Sequence, residues 1–297
     1  MTIPGFSTRA VATDEGRIFV ATGGSGPPVL LLHGFPETHL MWRGVAPLLA
    51  AEATVVCADL RGYGASGCPA SDDRHAPYAK RAMAAELVEV MRALGHDRFA
   101  VVGHDRGGRV AYRLALDHPA VVTRLAVLDV VPTGPLWARA DARLALAFWP
   151  FTLLAQPAPL PERLIGGCPE AVVDDAIAQW GSPAAAFPPA VRAAYVDVLR
   201  DPAHVHAICE EYRAAASTDR EHDAEDLAAA RRIGCPLLLL WGEGGALDSW
   251  YADEGGPLAL WRLLADDVRG EAVPGGHFFP EVCPGETAAR LSRFLAG

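Results

Sequence analysis

The chain has 297 residues, 51% hydrophobic and 21% charged, with a formal net charge of −10 and a sequence pI near 5.4. That length and apolar content can bury a sizeable core, in one large domain or in a core with an inserted second domain, and exclude a disordered chain. The acidic balance and the lack of a basic stripe exclude nucleic acid and anionic membrane as partners, so an anionic ligand has to be captured by local positive groups against the overall field.

Along the chain, the first 20 residues carry no basic head before an apolar run, and no run of about 18 apolar residues follows, so neither a signal peptide nor a membrane span is expected. RAVAT (9–13) and RIFVAT (17–22), split by a DEG turn, read as an antiparallel hairpin. Further strands are PVLLLH (28–33), TVVCAD (54–59), RFAVVG (98–103), RLAVLDV (124–130), CPLLLLWG (235–242) and VRGEAV (268–273). Several are continuously apolar rather than alternating, as strands covered on both faces require. Helical patterns occupy roughly 39–51, 78–95, 106–118, 257–265 and 285–295. This alternation predicts an α/β fold, a mostly parallel sheet with helices on both faces. From Pro132 to Ile233 the rhythm breaks: no convincing strand appears, only Ala-rich helical stretches with proline punctuation, one of them opening at Asp201-Pro202. The expected organisation is a core of 1–132 and 234–297 with a helical cap of 133–233 packed on the sheet. The six cysteines, at 57, 68, 168, 209, 235 and 283, form no C-x-x-C pair and no zinc-like grouping, and read as free thiols in a reducing cytoplasm.

Ligands of open α/β sheets bind at the carboxyl ends of the strands. Four chemically capable residues fall there. Asp105 tops the glycine-flanked turn Gly103-His104-Asp105-Arg106-Gly107-Gly108, the strand-to-helix context of a nucleophile elbow in which serine usually stands. Asp129 closes RLAVLD, Asp248 follows LLLLWGEGGAL, and His277 lies in VPGGHFFPE. The order nucleophile, acid, histidine is that of α/β hydrolases. A carboxylate nucleophile has a chemical rationale. Serine attacking saturated carbon would leave an ether that the site could not hydrolyse, whereas a carboxylate leaves an ester that water, activated by a neutral His277, can cleave. The backbone N–H groups of Arg106 and Phe35 are the candidate oxyanion donors.

The segments LLLHGFPETHLMW (30–42), DLRGYGAS (59–66), GHDRGGRVAYRLALDHP (103–119) and GHFFPEVCPGETAARLSRFL (276–295) resemble the α/β hydrolases with an aspartate nucleophile: haloalkane and haloacetate dehalogenases and epoxide hydrolases. The resemblance covers nearly the whole chain. Within that group, LLAQPAPLPERLIGG (153–167) and CEEYRAAASTDREHD (209–223) look most like haloacetate dehalogenases of the fluoroacetate type. The resemblance implies hydrolytic dehalogenation of short 2-haloacids through an Asp105 ester, without metal or organic cofactor, in a cytoplasmic enzyme, and is compatible with a homodimer. Epoxide hydrolysis by the same nucleophile is the second reading. A ligand-binding relative without activity is the third, and the intact nucleophile, acid and histidine argue against it. Haloacetate-type members carry the acid after the strand that here ends at Asp129, epoxide hydrolases one strand later, where Asp248 stands. Both positions hold aspartate; the rest of the resemblance favours Asp129, and the other would be a loop or helix cap.

Arg106 and Arg109, at i and i+3 of the helix after the elbow, share nearly one face. A guanidinium forks onto a carboxylate, and a helix N-terminus favours an anion. Two arginines beside a carboxylate nucleophile therefore imply a substrate carboxylate, as does the resemblance; the plain alternative pairs them with an acid of the cap or surface. Arg113 reads as a surface residue, His33 and Glu37 as support for the oxyanion loop, and His104 as packing. The leaving group is where the chain departs from the fluoroacetate pattern. Those enzymes carry a His-Trp pair just before the LAQPAP segment; here Pro150 and Phe151 stand there, and neither donates a hydrogen bond. Tyr212 matches the family's cap tyrosine. Trp149, one residue off register, is a candidate donor set against a packing role, and Trp180 is expected to wall the pocket. C–F cleavage is accordingly expected to be weak relative to C–Cl or C–Br. An epoxide would want two phenols facing Asp105, for which Tyr212 and Tyr195 are the candidates.

Overall fold

The computed structural model describes residues 2–297. Its strands are β1 Ser7–Thr13, β2 Gly16–Gly24, β3 Pro28–Leu32, β4 Thr54–Ala58, β5 Phe99–His104, β6 Val122–Leu128, β7 Leu237–Gly242 and β8 Val268–Val273. They form one sheet in the order β1-β2-β4-β3-β5-β6-β7-β8. The N-terminal hairpin pairs antiparallel within itself and with β4; from β4 to β8 every neighbour is parallel. The helices are α1 Ala46–Leu49, α2 Lys80–Ala93, α3 Asp105–Asp117, α4 Thr133–Ala138, α5 Ala142–Ala147, α6 Pro150–Leu153, α7 Leu160–Gly167, α8 Pro169–Gln179, α9 Pro189–Arg200, α10 Pro202–Ala216, α11 Thr218–Ala228, α12 Ala246–Trp250, α13 Pro257–Trp261, α14 Phe279–Val282 and α15 Pro284–Ala296.

The strands read as continuous apolar runs because both faces are covered. Leu30, Val56, Val101, Val127 and Leu239 pack in one cluster with Leu87 of α2 and Val110 of α3. Their chain neighbours Leu31, Val55, Val102, Ala126 and Leu240 pack in a second cluster with Leu49 of α1 and Leu291 of α15. Successive residues of a strand face opposite layers, so each layer claims every other one. Between β6 and β7 the chain makes only helices, α4 to α11. Their apolar side chains, among them Val173, Ile177, Val196, Leu199 and Ile208, join the cluster on the α2 and α3 side.

Buried acids of α10 and α11 tie these helices to the sheet layer. Glu211 meets Lys80 and Arg106, Asp223 accepts the Tyr112 hydroxyl at 2.9 Å, and Asp226 pairs with Arg113 at 2.5 Å. Arg113 corrects the surface expectation: it is buried, gripping Asp117 of its own helix and Asp226 across the contact. No helix among the described residues is long and apolar enough to cross a membrane.

Candidate active site

The turn from β5 into α3 places Asp105 at φ 44°, in the left-handed region that non-glycine residues seldom occupy. Its glycines are required by close approach. A Cβ on Gly103 would sit 2.3 Å from the Gly107 carbonyl oxygen, and one on Gly107 would sit 2.4 Å from that of His33. The loop after β3 crosses directly beside the turn, and the Phe35 N–H donates to Asp105 Oδ2 at 3.1 Å. Burial alone would raise the Asp105 carboxyl, but His277, Arg106, His104 and Arg109 together hold it below the ordinary aspartate value. It is an ionised carboxylate at neutral pH with one oxygen already on an amide donor.

Asp129 follows β6 directly and also adopts a positive φ, 49°. Its Oδ1 accepts the Gly242 N–H at 2.8 Å. Its Oδ2 lies 2.6 Å from His277 Nδ1, which fixes that nitrogen as the donor and leaves Nε2 the free one. Asp248 is elsewhere: exposed at the start of α12, it accepts from Trp241 Nε1 at 2.7 Å and from the Gly244 N–H at 2.9 Å, as a loop cap. Of the two candidate acids, Asp129 is the one at the histidine. The His277 ring packs among His104, Phe278 and Trp180, at centroid distances of 4.6, 4.9 and 5.3 Å. Its backbone N–H donates to the Trp180 carbonyl at 2.9 Å, so the helical insertion holds this loop down.

The two arginines sit differently. Arg106 is wholly buried, and its Nε donates to both carboxylate oxygens of Glu211, at 2.9 and 2.8 Å. The Tyr212 ring lies over its guanidinium at 4.0 Å. Arg109 donates through Nη1 to the Val131 carbonyl at 3.2 Å and the Thr133 hydroxyl at 2.9 Å. No carboxylate among the described residues pairs with it, and burial and the neighbouring Arg106 lower its pKa. Arg106 Nη1 and Arg109 Nε are buried without a hydrogen-bond partner. Phe151 lies between the two, 5.5 Å from the Arg106 guanidinium and 5.1 Å from that of Arg109, with its ring edge-to-face on Tyr212.

Two candidate donors, Trp149 and Tyr195, have their polar groups engaged elsewhere. Trp149 does not offer its indole N–H to the pocket; it donates to Asp175 of α8 at 2.9 Å, within the helical insertion. Trp180 stands against His277, but its N–H is taken by the Ala147 carbonyl at 2.8 Å, so it contributes a wall and no donor. Tyr195 is not a second phenol at Asp105; its hydroxyl donates to Glu281 at 2.6 Å. Tyr212 is buried beside Phe35, the rings edge-to-face at 5.8 Å.

Two buried histidines support the loops. His33 is neutral: Nδ1 can only donate to the Gly34 carbonyl at 2.9 Å, and Nε2 accepts the Leu60 N–H at 2.9 Å. His104 does more than pack. Its Nε2 faces the His277 carbonyl at 2.9 Å and must donate, while Nδ1 faces Glu37 Oε2 at 3.2 Å. Burial disfavours its charge, but Glu37 outweighs that and pushes its pKa up to about 9, so the pair carries a proton at neutral pH. Residues missed in the sequence are Glu211, Lys80, Thr133 and Tyr63, the last with a buried hydroxyl lacking a partner. Only Glu211 had a signal, its place beside Tyr212 on a helix.

Comparison with known proteins places the chain in a family. Residues 27–164 match the family model described as alpha/beta hydrolase fold. A fluoroacetate dehalogenase of Burkholderia sp is 44% identical over 98% of this chain and 94% of its own. A soluble epoxide hydrolase of Corynebacterium sp. (strain C12) is 31% identical over 94% of each. The crystal structure of ALR0039 from Nostoc sp PCC 7120 superposes with a TM-score of 0.95 at 48% identity, covering 99% of both chains. The chain belongs to the α/β-hydrolase family and is a hydrolase of its dehalogenase and epoxide-hydrolase branch.

Proposed function

We propose that the protein hydrolyses the carbon–halogen bond of short 2-haloacids such as chloroacetate, with Asp105 as nucleophile, His277 as base, and Asp129 orienting His277. The observation that carries this reading is Arg109, a buried cation beside Asp105 with no carboxylate of its own. A buried guanidinium that is salt-bridged to no carboxylate is costly, and a substrate carboxylate offsets that cost. In the first step an Asp105 oxygen attacks the halogen-bearing carbon. The carbon–oxygen bond forms as the carbon–halogen bond breaks, and halide leaves with the electron pair. In the second, His277 Nε2 takes a proton from water, and the hydroxide attacks the ester carbonyl carbon of Asp105. The negative charge collects on Oδ2, where the Phe35 N–H already donates. Collapse expels the 2-hydroxy acid, which recovers the proton from His277; Asp105 then loses its own proton to solvent. No cofactor enters this sequence.

The leaving group departs toward a wall that includes Phe151, which packs 5.1 Å from the Arg109 guanidinium and edge-to-face on Tyr212. A phenyl ring gives fluoride no hydrogen bond. The test is one panel: halide release from fluoroacetate, chloroacetate and bromoacetate beside diol formation from styrene oxide. Halide release from chloroacetate and bromoacetate, with a much lower saturated rate on fluoroacetate, is expected. Diol formation without halide release would make the protein an epoxide hydrolase instead. Equal saturated rates on fluoroacetate and chloroacetate would refute the reading of the Phe151 wall.

A further inference from the structure

Arg106 and Arg109 are three residues apart on one helix, yet only Arg106 is salt-bridged to a carboxylate. The Arg106 guanidinium is gripped along one edge by Glu211, through Nε to both oxygens and through Nη2 to Oε1 at 2.5 Å. Glu211 is in turn met by Lys80 Nζ. Lys80 Nζ lies 3.5 Å from Asp219 Oδ2, and the Lys80 N–H donates to Asp219 Oδ1 at 2.8 Å. Lys80, Arg106, Glu211 and Asp219 are each at most 2% exposed, so little water screens their charges and they balance mainly one another. Two cations and two anions sum to zero. Tyr212, next to Glu211 on α10, closes the face of the guanidinium. What is left of Arg106 is Nη1, buried and without a partner.

We propose that Glu211 is a positioning residue for substrate recognition. By holding one edge of Arg106, it leaves a single aimed donor and cancels the charge that would otherwise bind a carboxylate at Arg106 alone. Arg109 then supplies the attraction and Arg106 the alignment. This division rests on the haloacid reading above. Without Glu211, Arg106 becomes a second uncompensated cation whose full fork competes for the substrate carboxylate and draws it out of line with Asp105. Anion binding is kept or tightened while turnover falls, because misplacement by about 1 Å costs on the order of a hundredfold in rate.

The experiment compares wild type, Glu211→Gln, Glu211→Asp, Arg106→Lys and the double variant E211Q/R106K. Steady-state chloroacetate hydrolysis is measured beside glycolate affinity by calorimetry. Glu211→Gln is expected to lower kcat roughly 10- to 100-fold with KM and the glycolate Kd unchanged or lower. Glu211→Asp, which keeps the charge, should show a smaller kcat loss of the same kind and keeps the test decisive if the glutamine variant does not fold. The effect of Glu211→Gln should largely vanish in the Arg106→Lys background. A merely structural role predicts weakened glycolate binding alongside lost turnover, and that result overturns the proposal, as does a Glu211→Gln kcat equal to that of a wild type that releases halide. A wild type that releases no halide from chloroacetate removes the haloacid reading and this inference together.

Discussion

Asp105 and Asp129, the two acids of the candidate site, both sit at positive φ directly after a central strand. Such a backbone costs on the order of 1–3 kcal/mol per residue and persists only where the surroundings over-determine it. Here the surroundings are the Phe35 N–H on one carboxylate and the Gly242 N–H and His277 on the other. Behind both stands the His104–Glu37 pair, whose His104 Nε2 holds the carbonyl of the catalytic-base candidate. Because the His104 pKa is raised from 6.5 to about 9 in the folded chain, the pair's contribution to stability is full below about pH 6.5. It is lost as pH rises through about 9. Denaturation midpoints of wild type and Glu37→Gln should therefore differ most at pH 6 and converge by pH 10. A difference that does not change with pH contradicts the charged pair.

At the scale of elements, the sheet was readable because its strands are buried on both faces and so appear as unbroken apolar runs; β3, β5 and β7 stand where PVLLLH, RFAVVG and CPLLLLWG were read. The docking of the helical insertion was not readable, because it depends on contacts far apart in sequence. Arg106 finds Glu211 across 105 positions, and Tyr195 finds Glu281 across 86. Arg113 looked like a solvated residue because it continues the helix past the two site arginines, and nothing local shows that α11 covers it. Asp226 of α11, the Asp226–Arg113 pair being buried on both sides, makes a stability prediction. Arg113→Met should lower unfolding free energy by about 3 kcal/mol, at the low end for removing one partner of a buried pair, since Arg231 still reaches Asp226 at 2.9 Å. Urea titration with an unshifted midpoint would contradict it.

Over the whole molecule, acids outnumber Lys and Arg 36 to 26, yet positive charge converges on the one carboxylate that tops β5. The elbow motif and the chain order of Asp105, Asp129 and His277 were legible because strand ends bring distant segments to one edge of the sheet. The choice between Asp129 and Asp248 was not, since both follow strands of the same sheet; only the register of β6 beside β7 brings Asp129 to the Gly242 amide and His277. The partners of Glu211 were not readable for a similar reason, Lys80 and Arg106 lying on two other helices. The central claim is that a carboxylate oxygen of Asp105 becomes the hydroxyl oxygen of the product. A single turnover of chloroacetate by excess enzyme in heavy-oxygen water, followed by mass spectrometry of the product and of the peptide holding Asp105, tests it most directly. The account predicts unlabelled glycolate and label in Asp105. Labelled glycolate with an unlabelled Asp105 would mean that water attacks the substrate directly, and Asp105 would lose its role as nucleophile.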